Sequence, residues 1–226
     1  MECVLEKYRM NTYHSRWEGK KVNIIGDSIV AAQNSSIGFA DITASMLNFS
    51  LKNYGIGGSV IAAIEGNPTE RTPLSIRYAE MTADADLVIV SGGSNDWQYG
   101  FCPVGTPDSR SIHSFYGALH RLSIGLLEKY PVKNILFMTP IRRCQAPLIL
   151  ETSKNSQGRT LREYCSIIKE VCTCYGLHVL DMYDGCIINP YIENQKLAFI
   201  PDGTHPNEAG HMIMAERLAE YLSVQD

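Results

Sequence analysis

Two patterns of apolar residues alternate along this chain: short runs, and longer segments in which apolar positions return at steps of three and four. The short runs lie at 22–25 (VNII), 50–54 (SLKNY), 87–90 (LVIV), 134–138 (NILFM) and 178–182 (HVLDM), and they predict five strands. The longer segments predict amphipathic helices. One carries Ile112, Phe115, Tyr116, Leu119, Leu122, Leu126 and Leu127, and another carries Leu161, Tyr164, Cys165, Ile168, Cys172 and Tyr175. A closing helix over 207–223 is expected to bury Ala209, Met212, Ala215, Ala219 and Leu222. Strands of this kind separated by helices form a parallel sheet covered on both faces. The expected architecture is a three-layer α/β/α sandwich with a central, mostly parallel five-stranded sheet.

Composition narrows the reading. A chain of 226 residues, 45% hydrophobic, can bury one sizeable core and is short for two, which predicts a single domain over 21–226 after an N-terminal extension over 1–20. The formal charge is -4, and the 20 Lys and Arg form no stripe that could follow phosphates, so nucleic acid is not an expected partner. No apolar run reaches the roughly 18 to 20 residues that span a bilayer. The first residues, MECVLEKYRM, are charged throughout and do not read as a signal peptide, so the expected location is the cytoplasm unless a leader has been cleaved away. Seven cysteines, an odd number, favour reduced thiols, with Cys165 and Cys172 on an apolar helical face. Cys172 and Cys174 form only C-x-C without a second ligand pair, so no metal site is expected.

In a parallel α/β sheet the loops leaving the carboxyl ends of the strands share one rim, where ligands bind. The first strand runs into Gly26-Asp27-Ser28, where the serine could cap a following helix or present its hydroxyl. The second empties into Asn53-Tyr54-Gly55-Ile56-Gly57-Gly58-Ser59, whose glycines suit a tight turn or the cradling of an anion. Valine at position 60 breaks the dinucleotide fingerprint. The third strand leads to Gly93-Ser94-Asn95-Asp96, with Asn95 read as a loop residue that either closes an Asx turn or offers an amide donor. Near the C-terminus, IPDGTHPNEAGH sets Asp202 three residues before His205. That spacing is either a plain turn or a carboxylate that holds an imidazole tautomer. A hydroxyl, glycine N–H groups, an amide and an Asp/His pair together are what attack on a carbonyl requires.

These four blocks, in this order, resemble the SGNH hydrolases of the GDSL esterase and lipase superfamily, and the resemblance extends from about Val22 to Leu222. It implies a flavodoxin-like fold, Ser28 as nucleophile, His205 as base and Asp202 as its orienting carboxylate. It also implies an oxyanion hole from Ser28, Gly58 and Asn95, with no metal or organic cofactor. Asp27 is assigned to positioning the peptide around Ser28 and is grouped with Trp97 and Arg142 as candidate substrate contacts. Of the other histidines, His113 and His120 fall on a helix, His178 opens a strand, His14 precedes the domain and His211 is read as a surface or capping residue. Asp181 and Asp184 remain alternatives to Asp202. The expected partner is a small-molecule ester with a short acyl group, plausibly an acetylated carbohydrate, because 97–101 and 139–143 bring aromatic and basic groups to the rim. A lysophospholipase-type lipase, a thioesterase, acyl transfer to a sugar and an inactive binding module are the alternatives.

Overall fold

A computed structural model describes residues 16–64 and 72–224. His14 and most of the expected N-terminal extension lie outside the described residues. Five strands, β1 (Lys21–Gly26), β2 (Ser50–Gly55), β3 (Leu87–Ser91), β4 (Ile135–Met138) and β5 (His178–Leu180), form one sheet in the order β2-β1-β3-β4-β5. Every neighbouring pair is parallel. The described helices are α1 (Phe39–Leu47), α2 (Leu74–Arg77), α3 (Ser94–Tyr99), α4 (Phe115–Lys129), α5 (Leu161–Cys174), α6 (Met182–Gly185), α7 (Glu193–Phe199) and α8 (Glu208–Val224).

The pleat sorts the core into two layers, since successive side chains on a strand point to opposite faces. Ile25, Val88, Val90, Ile135 and Phe137 pack with residues of α2, α4 and α5. Val22, Ile24, Leu87, Ile89, Leu136, Met138 and Leu180 pack with α1 and α8 on the other side. Strands β3 and β4 are buried throughout. β2 lies at an edge and is largely exposed, which is why its sequence, SLKNYG, is half polar. The second layer also takes in Trp17, from the stretch read as an extension, whose Nε1 donates to Leu222 O at 3.0 Å. Among the described residues no helix is long and apolar enough to cross a membrane.

Two element boundaries and the buried face of one helix differ notably from the sequence reading. The helix expected from Ile112 begins at Phe115, because Ser114 caps it by accepting from the Gly117 N–H at 3.3 Å. The strand expected to reach 182 stops at Leu180, because Asp181 Oδ1 accepts from the N–H groups of Tyr183 and Asp184 and starts α6. The buried face of α8 comprises His211, Met214, Ala215, Leu218 and Leu222, while Ala209 is exposed. His211 is therefore a core residue and not a surface one. It takes the Phe39 N–H on Nδ1 at 3.1 Å and stacks on the Phe39 ring, tying α8 to α1. Cys165 and Cys172 pack inside the core as expected from their helical face.

Candidate active site

The chain reverses its direction of travel across the sheet between β1 and β3, so the crevice of this fold opens at the carboxyl ends of those two strands. β1 ends in Gly26, where a Cβ would stand 2.3 Å from both Ser91 O and Val30 Cγ2, a space that admits only glycine. Asp27 then closes a tight turn by accepting the Ile29 N–H on Oδ1 at 3.0 Å. Ser28 follows on that turn, 5% exposed. It caps no helix, since α1 begins only at Phe39. The loop after β2 lies against it: a Cβ on Gly57 would fall 3.7 Å from Ser28 Cβ. Gly58 has φ +75°, which turns the loop where an L side chain is strained. Among the described residues the backbone N–H groups of Ser28 and Gly58 have no acceptor.

Asn95 sits in the first turn of α3, not in a loop. It is buried. Its Nδ2 donates to Ser59 O at 3.0 Å and its Oδ1 accepts from Arg143 Nη1 at 3.3 Å. One amide hydrogen is thus committed, and among the described residues the second has no acceptor.

The segment from Asp202 to His205 folds on itself as the sequence spacing allows. Asp202 Oδ1 accepts the N–H groups of Thr204 at 2.8 Å and His205 at 2.7 Å. Asp202 Oδ2 accepts from His205 Nδ1 at 2.7 Å and from Asn34 Nδ2 at 3.1 Å. Burial works against the Asp202 charge, but the hydrogen bonds from the His205 N–H, the His205 ring and the Thr204 N–H outweigh it and hold the carboxyl below its ordinary pKa. A carboxylate facing Nδ1 places the ring proton there and leaves the Nε2 lone pair to Ser28 Oγ, 3.0 Å away. A hydroxyl, an imidazole and a carboxylate in one hydrogen-bonded line can take a proton from the hydroxyl and stabilise the resulting imidazolium.

The model of the GDSL-like Lipase/Acylhydrolase family matches residues 24–213. The chain belongs to that family. As a GDSL-type acylhydrolase it is an SGNH esterase, and solved structures agree with its fold. A Lactobacillus plantarum protein shares 27% identity over 92% of this chain and 99% of its own, with a TM-score of 0.82. A possible lipase from Chitinophaga pinensis shares 20% over 89% of this chain and 97% of its own, at TM-score 0.69. Axe2, an acetylxylan esterase from Geobacillus stearothermophilus, shares 21% over 92% and 96%, at TM-score 0.63. No curated protein matches the chain by sequence.

The three expected substrate contacts are engaged by groups of the protein itself. Trp97 is 1% exposed in the core, with Nε1 donating to Arg159 O, because the helical turn of α3 points it inward. Asp27 is buried beneath the Ser28 turn and holds the peptide. Arg142 stacks on the Tyr183 ring, 5.1 Å from its centroid, and reaches Asp184 and Cys186 O. Its neighbour Arg143 turns into the site instead. Burial alternates from Ile141 through half-buried Arg142 to buried Arg143, an order visible only in the fold, and no sequence signal singled Arg143 out. Asn34 and the buried Arg77, which donates to Gly26 O at 3.1 Å and to Ser59 Oγ at 3.2 Å, carried no such signal. Asp181 is engaged by Lys169 at 2.7 Å and by Thr139 at 3.0 Å, and Asp184 by Arg162. His120 bonds Tyr175 and Pro107 O, and His113 bonds Ala63 O, so the rival bases and acids serve the scaffold. Among the described residues no group of His, Cys, Asp and Glu is arranged to hold a metal ion.

Asp96, beside Asn95, takes the Ile61 N–H on both oxygens at 3.1 and 2.9 Å and the Ala62 N–H at 2.9 Å, which anchors the segment after Ser59. Burial pushes its pKa up to about 6, with the N–H groups opposing and Asp27 adding to the rise. A carboxyl raised in the folded state keeps its proton there after the unfolded chain has released it. Its contribution to stability therefore falls as pH rises from about 4 to about 6. Asp96→Asn should abolish that component: the melting temperature of the native protein minus that of the variant should decline across this window. A difference that stays level from pH 4 to 7 would show that Asp96 does not titrate there.

Proposed function

We propose that the chain is a serine esterase acting through Ser28, His205 and Asp202, with the N–H groups of Ser28 and Gly58 and the Asn95 amide as oxyanion donors. The observation that carries this reading is the line from Asp202 through His205 to Ser28, at 2.7 and 3.0 Å. His205 Nε2 takes the Ser28 proton as Oγ attacks the ester carbonyl, and the carbonyl oxygen becomes an anion met by the three donors. Collapse expels the alcohol, which takes the proton from His205. Water then attacks the acyl-serine with His205 again as base, releasing the acid and restoring Ser28.

The favoured substrates are short-acyl esters, in particular O-acetylated carbohydrates. Two observations support that reading. Axe2, which shares the fold, is an acetylxylan esterase. Tyr99 and Phe101 stack at 5.5 Å with Phe101 55% exposed, a flat apolar surface of the kind a sugar ring covers. A lysophospholipase-type or thioesterase reading is favoured instead by Ile56, beside the Ser28 loop, and by Ile149 and Leu150, all exposed. The segment carrying the last two is tied to the His205 turn by the Cys144 N–H, which donates to Gly203 O at 2.7 Å.

Acyl length separates the two. p-Nitrophenyl acetate should be hydrolysed with a higher kcat/KM than the octanoate. An apolar acyl channel would reverse the order, since each buried methylene favours the longer ester by about 0.8 kcal/mol. A kcat/KM that climbs steadily to the octanoate would establish the lipase reading.

A further inference from the structure

We propose that Arg143 is a positioning residue of this esterase: it fixes and polarises the Asn95 carboxamide and locks the oxyanion side of the site to the turn that carries His205. The proposal rests on the reading of Asn95 as an oxyanion donor. Arg143 is 4% exposed, yet its described hydrogen bonds all go to neutral oxygens. Nη1 donates to Ser94 Oγ at 2.8 Å, to Asn95 Oδ1 at 3.3 Å and to Ser94 O at 3.4 Å. Nη2 donates to Gln145 Oε1 at 2.6 Å and to Thr204 Oγ1 at 3.3 Å. Thr204 lies between Asp202 and His205, and its own N–H is held by Asp202. One planar cation therefore spans the two halves of the site.

Among the described residues Arg143 makes no contact ion pair, and the nearby Asp27 and Asp202 carboxylates offset the cost of burying its charge only in part, so its retention calls for a gain elsewhere. The gain lies in the amide. The two ends of a carboxamide have nearly the same shape, so packing alone does not decide which of them faces the substrate. Here the guanidinium N–H can donate only to the oxygen on its side, and Ser59 O can accept only from the NH2 on the other, so a flipped Asn95 would lose both bonds. A cation at Oδ1 also draws electron density from Nδ2, which makes the uncommitted N–H a stronger donor to a developing oxyanion. A lysine lacks the fork that reaches Asn95 and Thr204 together.

The test is a double-mutant cycle in steady-state hydrolysis of p-nitrophenyl acetate, using Arg143→Lys, Asn95→Ala and the double variant, each normalised to its folded fraction by circular dichroism. Arg143→Lys should lower kcat about tenfold with KM within about twofold, and in the Asn95→Ala background most of that loss should vanish, leaving at most the about twofold share of the Thr204 bond. Equal fold-losses in both backgrounds would overturn the proposal while leaving Asn95 as an oxyanion donor. An unchanged kcat in Asn95→Ala alone would overturn the oxyanion reading, and the proposal with it. If Arg143→Lys fails to fold, Ser94→Ala removes the shortest Nη1 contact without burying an ammonium. Its expected loss of about threefold should likewise vanish when Asn95 is alanine, and persistence of that loss would overturn the proposal.

Discussion

His205→Ala should lower kcat by about 10⁴ to 10⁶, the range expected when the base of a serine hydrolase is removed. The size follows from how completely one nitrogen is committed. Nε2 faces Ser28 Oγ at 3.0 Å while Asp202 fixes the tautomer from the other side of the ring. His211 cannot substitute. Its Nδ1 is taken by the Phe39 N–H, and burial pushes its pKa down to about 4, so it stays a neutral core residue. The native kcat/KM should fall toward acid pH, because an imidazolium accepts no proton, and the residual rate of the variant should lack that limb. Near-native turnover in the variant would sink the base assignment.

Asn95→Ala should lower kcat by about 10² to 10³, roughly 2.7 to 4 kcal/mol, with far less change in KM. Charge reaches the carbonyl oxygen only as Ser28 attacks, so an amide fixed in place binds the transition state more strongly than the ester. The same truncation also strips Ser59 O of a donor and Arg143 Nη1 of an acceptor, which should lower the melting temperature. Both quantities belong on one purified variant. A destabilised enzyme with unchanged kcat would mean that Asn95 holds the start of α3 and nothing more.

How much of this was legible in the sequence depended on whether a residue acts locally or across the fold. The strands at 87–90 and 134–138 are apolar because they are covered on both faces, and that necessity shows in any window that contains them. The spacing of Asp202 and His205 left a plain turn and a carboxylate-held imidazole both open, and the resemblance chose between them; in the fold one short turn brings the two side chains together. Trp97 was read as a pocket residue because the third rim segment looked like a loop. The short helix α3, begun from Gly93, rotates it into the core. The choice between Arg142 and Arg143 depended on which side of an extended segment faces Thr204, 61 positions further along. His211 was invisible as a core residue because its side chain's one described hydrogen-bond partner, the Phe39 N–H, lies 172 positions away. Polar residues satisfied at long range leave no periodic trace.

The turn that brings Asp202 to His205 is self-contained, whereas Ser28 and His205 are 177 positions apart. The serine leaves the first strand of the sheet and the imidazole precedes the last described helix, so the reactive pair exists only after nearly every strand and helix of the domain has been laid down between them. A nascent chain emerging from the ribosome carries its hydroxyl early but has nothing to awaken it. On the proposed assignment, the order of synthesis leaves an unfinished chain without the base that its serine needs to attack an ester.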